Sequence, residues 1–330
     1  RLAFESKTKD DLVSYEEAYK NRLKLDWENE DIAIPSFIGL KQIIDYPLEE
    51  IRKYIDWTFF FSAWEIRGGY PRVLNDPVKG KAARELFENA NLLLDEIING
   101  GLLKANAAYG FWPANSEKDD LILYKDEKRI DKIVTFNMLR QQKIKNGITL
   151  SLSDFIAPKN SRINDYIGAF AVTTGINAIE LSKKFENENN DYNSIMVKTL
   201  ADRLAEAFAE LMHQRVRDEW GFPDDKNITK QNLIKEKYRG IRPAFGYPAC
   251  PDHSEKEKLF DVLDAPKIGI TLTENYSMSP AASVSGLYFS SEHSRYFTVG
   301  KINQSQVSDY ASRKGETNKR TNLLLSPNLE

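Results

Sequence analysis

"DYIGAFAVTTG", residues 165–175, is the stretch that decides the fold class. After Asp165 it carries no charge, and Ile167, Val172, Thr173 and Thr174 are β-branched. Such a run reads as a buried strand rather than a helix. Working outward, "AAYGFWPA" (107–114) and "DDLILYKD" (119–126) read as strands separated by a polar turn, and "KIVTFNM" (132–138) as another. Downstream, "GITLTEN" (269–275), "SVSGLYFS" (283–290) and "RYFTVGKI" (295–302) read the same way. Strands follow strands here as often as they follow helices. That order predicts an α+β fold on an antiparallel sheet, in a single domain with helical decoration, rather than a doubly wound one.

Helices punctuate the strands. Pro47 opens a helical segment with Ile51, Tyr54 and Ile55 on its apolar side. In 78–98, Ala83, Leu86, Phe87, Ala90, Leu93 and Leu94 recur at three-and-four spacing, and Gly100 and Gly101 stop the run. Residues 191–220 form the clearest helix, with Asp191 as N-cap and Tyr192, Met196, Leu200, Leu204, Phe208 and Leu211 as an apolar stripe. A further helix is expected over 250–264, ending near Pro266, and a last one over 303–315, closed by Gly315. Residues 1 to about 30 read as a charged helical arm.

The chain has 330 residues, 41% hydrophobic and 29% charged, as in soluble globular proteins. Its 46 basic and 49 acidic side chains give a net charge of −3, which argues against an electrostatic nucleic-acid binder. No run reaches the roughly 18 apolar residues of a membrane span. The start is charged and has no apolar signal core. One cysteine, Cys250, precludes an intrachain disulfide and fits a reducing cytosol. A chain opening on Arg1 suggests a fragment or a processed product.

Familiar catalytic signatures are missing. There is no G-x-G-x-x-G after a strand, no P-loop and no G-x-S-x-G. Cys250 and His253 lie three apart without a second pair, a weak metal case, and Cys250 reads more simply as a small buried residue. Asp56 sits among aromatic and aliphatic neighbours, where it either caps the following helix or meets a ligand cation. Glu206 lies nearly opposite the apolar stripe of the long helix, and Glu236 in "LIKEKYRGI" also reads as solvent-facing.

"IRPAFGYPAC", residues 241–250, is unusual for so polar a chain. Pro243 and Pro248 exclude an undisturbed helix or central strand. A stiff loop presenting Arg242 with Phe245 and Tyr247 suits an anionic or zwitterionic small molecule with a flat ring. It equally suits a proline-stiffened crossover whose arginine pairs internally.

"RPAFGYPACPDHSEK" (242–256), "IDWTFFFSAWEIRGGYPRVL" (55–74) and "DYNSIMVKTLADRLAEAFAELMHQRVR" (191–217) together resemble the C-terminal activation domain of cobalamin-dependent methionine synthase. The R-P-x-x-G-Y-P element marks that family's S-adenosylmethionine site, and "DYIGAFAVTTG", "SVSGLYFS" and "DYASRKG" follow in the family's order. The resemblance runs from about residue 35 to "PNL" near the end, leaving 1–34 as a charged helical linker or arm and 35–330 as the activation domain. It implies a single C-shaped α+β domain around an antiparallel sheet. It also implies a function: reductive methylation that returns oxidised cob(II)alamin to methylcobalamin. S-adenosylmethionine is the methyl donor, and flavodoxin or a similar reductase supplies the electron. The implied partners are that reductase and the cobalamin-binding module of the same full-length enzyme, in the cytoplasm, with no nucleic acid and no membrane.

The resemblance also assigns residues. Asp56 takes the ligand's amino group, Arg242 its carboxylate, and the Ala244 backbone its adenine. Tyr296 and Phe297 flank the ligand, Phe297 by packing alone because it lacks a hydroxyl. Glu206 and Glu236 lie near the site, while Tyr247 and His253 fall on the cobalamin-facing rim. No catalytic side chain and no protein-bound metal are implied. The cobalamin module's D-x-H-x-x-G motif is absent, so the chain alone is expected to bind the donor and turn nothing over. A free-standing S-adenosylmethionine methyltransferase with its own acceptor, or a docking module with a decayed site, are the competing readings.

Overall fold

A computed structural model describes residues 12–229, 232–233 and 236–330. At its centre, β5 (Asp165–Ile176) is flanked by β2 (Lys104–Glu117) and β8 (Ser283–Tyr288), both antiparallel to it. β3 (Asp120–Tyr124) and β4 (Lys132–Asn137) extend the β2 side as a meander, and β1 (Gly39–Ile43) also pairs with β2. The fold is therefore α+β on an antiparallel sheet flanked by helices.

The residues of β5 show why it lacks polar alternation. Tyr166, Phe170 and Val172 join a core with α4 (Gly80–Asn99) and α6 (Asp191–Glu219). Ile167, Ala169 and Ala171 join a second core with α7 (Glu255–Leu263) and the loop at 241–250. Both faces are covered, so both must be apolar. Pro113 lies inside β2 at the one place where it costs little. On that edge β1 pairs as far as Phe111 and β3 begins at Ala114, so the missing N–H falls in the gap between partners.

Several local expectations are corrected. "RYFTVGKI" is not a strand: Val299 N–H donates to Pro248 O at 2.8 Å and Ile302 N–H to Asn328 O, so its backbone bonds go to loops. "GITLTEN" supplies only β6 (Thr271–Leu272), paired with β7 (Met278–Ser279). The cap of α6 is Asn190, whose side chain accepts from Asn193 N–H at 3.0 Å, not Asp191. Residues 250–254 stay out of α7, because Asp252 accepts from Ser254 N–H in a tight turn. α8 (Gln304–Lys314) ends at Gly315 as expected but is followed by α9 (Asn318–Leu324).

The apolar stripe expected on α6 is too narrow. Val197, Ala201, Ala205, Ala209 and Met212 are buried as well, because the helix is enclosed on most of its circumference. α5 (Ala178–Asn187) leads into it. The short helices α2 (Leu48–Arg52) and α3 (Trp57–Ala63) pack against it. Of the charged leading segment, residues 1–11 lie outside the described residues. The remainder is helical only in α1 (Tyr15–Lys20) and bonds to the body through Val13 N–H to Gln142 O and Leu23 N–H to Thr149 O.

Candidate ligand-binding cleft

α6 supplies the floor. Glu206 and Glu210 are four residues apart and so share one helical face, with Arg203 a turn before. α3 supplies one wall through its cap: Asp56 Oδ1 accepts from Thr58 N–H at 2.8 Å. Its other oxygen takes no hydrogen bond among the described residues. The loop at 241–250 supplies the other wall.

That loop is pinned rather than free. Ile241 and Phe289 exchange backbone hydrogen bonds, and Leu287 N–H donates to Pro243 O at 3.0 Å. The approach is so close that a Cβ on Gly286 would lie 2.4 Å from Pro243 O, so only glycine fits. Beyond it Cys250 Sγ lies 3.0 Å from Ala244 O, and Phe245 turns into the core against Phe136. Only one ring of the loop, Tyr247, stays outward, at 62% exposed.

Arg242 is the pivot. Its Nη1 donates to Glu210 Oε2 at 2.9 Å, and its backbone N–H donates to the Tyr296 hydroxyl at 3.1 Å. Its Nη2 and Nε have no acceptor among the described residues. Burial works against its charge, but Glu210 beside it holds the guanidinium above its ordinary range. Burial pushes the Glu210 carboxyl up, and Arg242 partly offsets the push. The internal pairing foreseen for Arg242 thus exists, yet it occupies only part of the fork.

Two adjoining cavities follow from this arrangement. One, of about 400 Å³, is lined by Asp56, Glu206, Glu210, Glu236 and Arg242, among others. The next, of about 520 Å³, shares Glu206, Glu236 and Arg242 and adds Ala244, Tyr247, Tyr296 and Phe297. Such volumes suit a small organic ligand. Eight of the residues singled out in the sequence therefore meet in one cleft. His253 does not line it. It sits behind the loop, where a Cβ on Gly246 would lie 2.2 Å from its ring, and its Nδ1 is 3.0 Å from Lys256 Nζ.

The family of vitamin B12 dependent methionine synthase activation domains matches residues 47–315. The chain belongs to that family. A solved relative, the MetH reactivation domain in a crystal structure bound to AdoHcy, is 45% identical to this activation domain. The match covers 96% of this chain and 98% of that one, with a TM-score of 0.94.

Sequence reading missed Glu210, Tyr54, Phe59 and Arg203 in the activation domain's cleft. The available signal for Glu210 was its position one turn after Glu206 in "EAFAEL", an acid repeating along a face otherwise built of small and apolar residues. Glu206 and Glu236, read as solvent-facing on position alone, line both cavities. Among the described residues no three His, Cys, Asp or Glu side chains are grouped to hold a metal ion, and no helix is long and apolar enough to cross a membrane.

Proposed function

We propose that this activation domain binds S-adenosylmethionine across the cleft and offers its methyl group to a cobalamin carried by another module of a longer methionine synthase. The observation that carries the reading is the convergence of Asp56 and Arg242, 186 residues apart in sequence, on one cavity in a chain closely similar to a domain solved with AdoHcy. The unspent N–H groups of Arg242 take the donor's carboxylate, and the uncommitted oxygen of Asp56 takes its ammonium. The Ala244 backbone meets the adenine edge, with Tyr247, Tyr296 and Phe297 as ring faces. Four carboxylates against Arg203 and Arg242 suit a ligand with two positive charges, ammonium and sulfonium, and one negative.

Methyl transfer is a displacement at carbon. The sulfur–methyl bond breaks with its electron pair left on sulfur, giving the neutral thioether S-adenosylhomocysteine. Cobalamin, carried by the other module, would supply the electron pair for the new bond to the methyl once its oxidised cobalt had gained one electron from flavodoxin or a similar reductase. The step needs neither a general base nor a protein nucleophile, so this chain's residues contribute positioning. Tyr247, exposed on the rim, and His253, exposed behind it, face the module that brings the acceptor. Work with such a reductase would belong in the cytoplasm, and the near-neutral charge argues against a nucleic-acid partner.

Calorimetric titration of S-adenosylmethionine into wild type and Arg242→Ala tests the reading. Losing a buried charge-assisted pair is expected to cost on the order of 2–5 kcal/mol of binding. An unchanged binding curve for the variant overturns it, as does methylation of a small acceptor by the isolated chain without corrinoid.

A further inference from the structure

We propose that Glu210 is a positioning residue for the donor's carboxylate: it pins Arg242 so that the free part of the guanidinium fork is presented to the cleft before the ligand arrives. This rests on the function proposed above. Glu210 stands in the second half of the 29-residue α6, and its side chain is only 13% exposed. Its Oε2 accepts from Arg242 Nη1 at 2.9 Å, while its Oε1 is buried without a partner among the described residues. An acid placed there for stability alone would have both oxygens satisfied.

Arg242 is fixed at its other end as well, by the Tyr296 hydroxyl on its backbone N–H and by the bridge between Ile241 and Phe289. A long side chain held at both ends has little rotamer freedom left to lose when a carboxylate docks on Nη2 and Nε. The other charged neighbours of Glu210 include Glu206 and Arg217 on its own helix and Glu236 on the following segment, with the Tyr238 hydroxyl at 3.5 Å. None of these reaches Arg242 as Glu210 does.

The test compares two thioether probes by calorimetry: S-adenosylhomocysteine, which carries the amino-acid carboxylate, and decarboxylated S-adenosylhomocysteine, which keeps the ammonium and lacks only the carboxylate. Glu210→Ala is expected to weaken S-adenosylhomocysteine roughly tenfold, the effect of freeing one long side chain, and to leave the decarboxylated probe within about twofold. Glu210→Gln keeps an acceptor for Nη1 and is expected to restore most of the loss. If Glu210→Ala does not fold, Glu210→Asp carries the comparison, because it keeps the charge and loses the reach. Equal weakening of both probes, no weakening, or tighter S-adenosylhomocysteine binding overturns the role of Glu210 while leaving the proposed function standing. A wild type that does not prefer S-adenosylhomocysteine overturns both.

Discussion

At the scale of single residues, Asp56 performs one of the two tasks open to it and is placed for the other. It caps α3 through Oδ1 and lines the cleft. The two tasks separate on substitution, because asparagine caps as well as aspartate but carries no charge. Asp56→Asn is expected to keep the melting temperature while weakening S-adenosylmethionine by roughly 1.5–3 kcal/mol, the worth of a hydrogen bond to a charged group. Asp56→Ala should add a stability loss of about 1 kcal/mol for the cap. Calorimetry and thermal melts on the pair decide it; an Asn variant that binds normally denies Asp56 any contact with the ammonium. Arg242 and Asp56 were legible at this scale because they sit in contexts that physical chemistry marks, a cation just before a proline and an acid among aromatics, while Ala244, Tyr296 and Phe297 were reached only through the family resemblance. Glu210 was not legible, since a carboxylate on a helix surface and one turned into a cleft have the same sequence until the opposing wall is known.

At the scale of elements, β2, β3, β4, β5 and β8 were legible, whereas the short β1 and β7, which pair with β2 and β6, were not. "RYFTVGKI" failed because alternation reports side-chain burial, whereas a strand also needs a neighbouring backbone, and here the bonds go to loops. The central strand makes its own prediction. Asp165, at the start of β5, is buried, and burial pushes its carboxyl up to about 6 despite bonds from Ala157 and Tyr166 N–H. A carboxyl raised in the folded state contributes stability that is complete below its unfolded value of 3.8 and lost as pH climbs through about 6. At about 1.4 kcal/mol per unit, the loss is about 3 kcal/mol. Urea unfolding of wild type and Asp165→Asn between those pH limits should show the wild type losing that much relative to the variant as pH rises. A difference that stays flat or grows would contradict the shift.

At the scale of the whole molecule, one charged network joins distant segments. Arg140, fully buried, donates to Asp119 and Asp154 and to Thr149 O. Its backbone N–H reaches Gln306 Oε1 on α8 at 2.7 Å. Arg140→Met would leave two buried carboxylates without their cation, at a cost of about 3–5 kcal/mol. That is a large part of the roughly 5–15 kcal/mol by which such chains are stable, so equilibrium denaturation should register it plainly. A loss under about 1 kcal/mol would mean that water replaces the guanidinium. None of this network could be read in advance, because its members are polar residues spaced along more than 180 positions.

The floor of the cleft belongs to one packing cluster and the loop wall to another: α6 lies in the core on one side of the sheet, and Ile241, Phe245 and Cys250 in the core on the other. A nucleoside bound there, as proposed, would act as a rivet across a seam. Its hold depends on the width of that seam as well as on the groups that touch it, and distant changes that let the two layers breathe apart would loosen the ligand without altering a single atom of its lining.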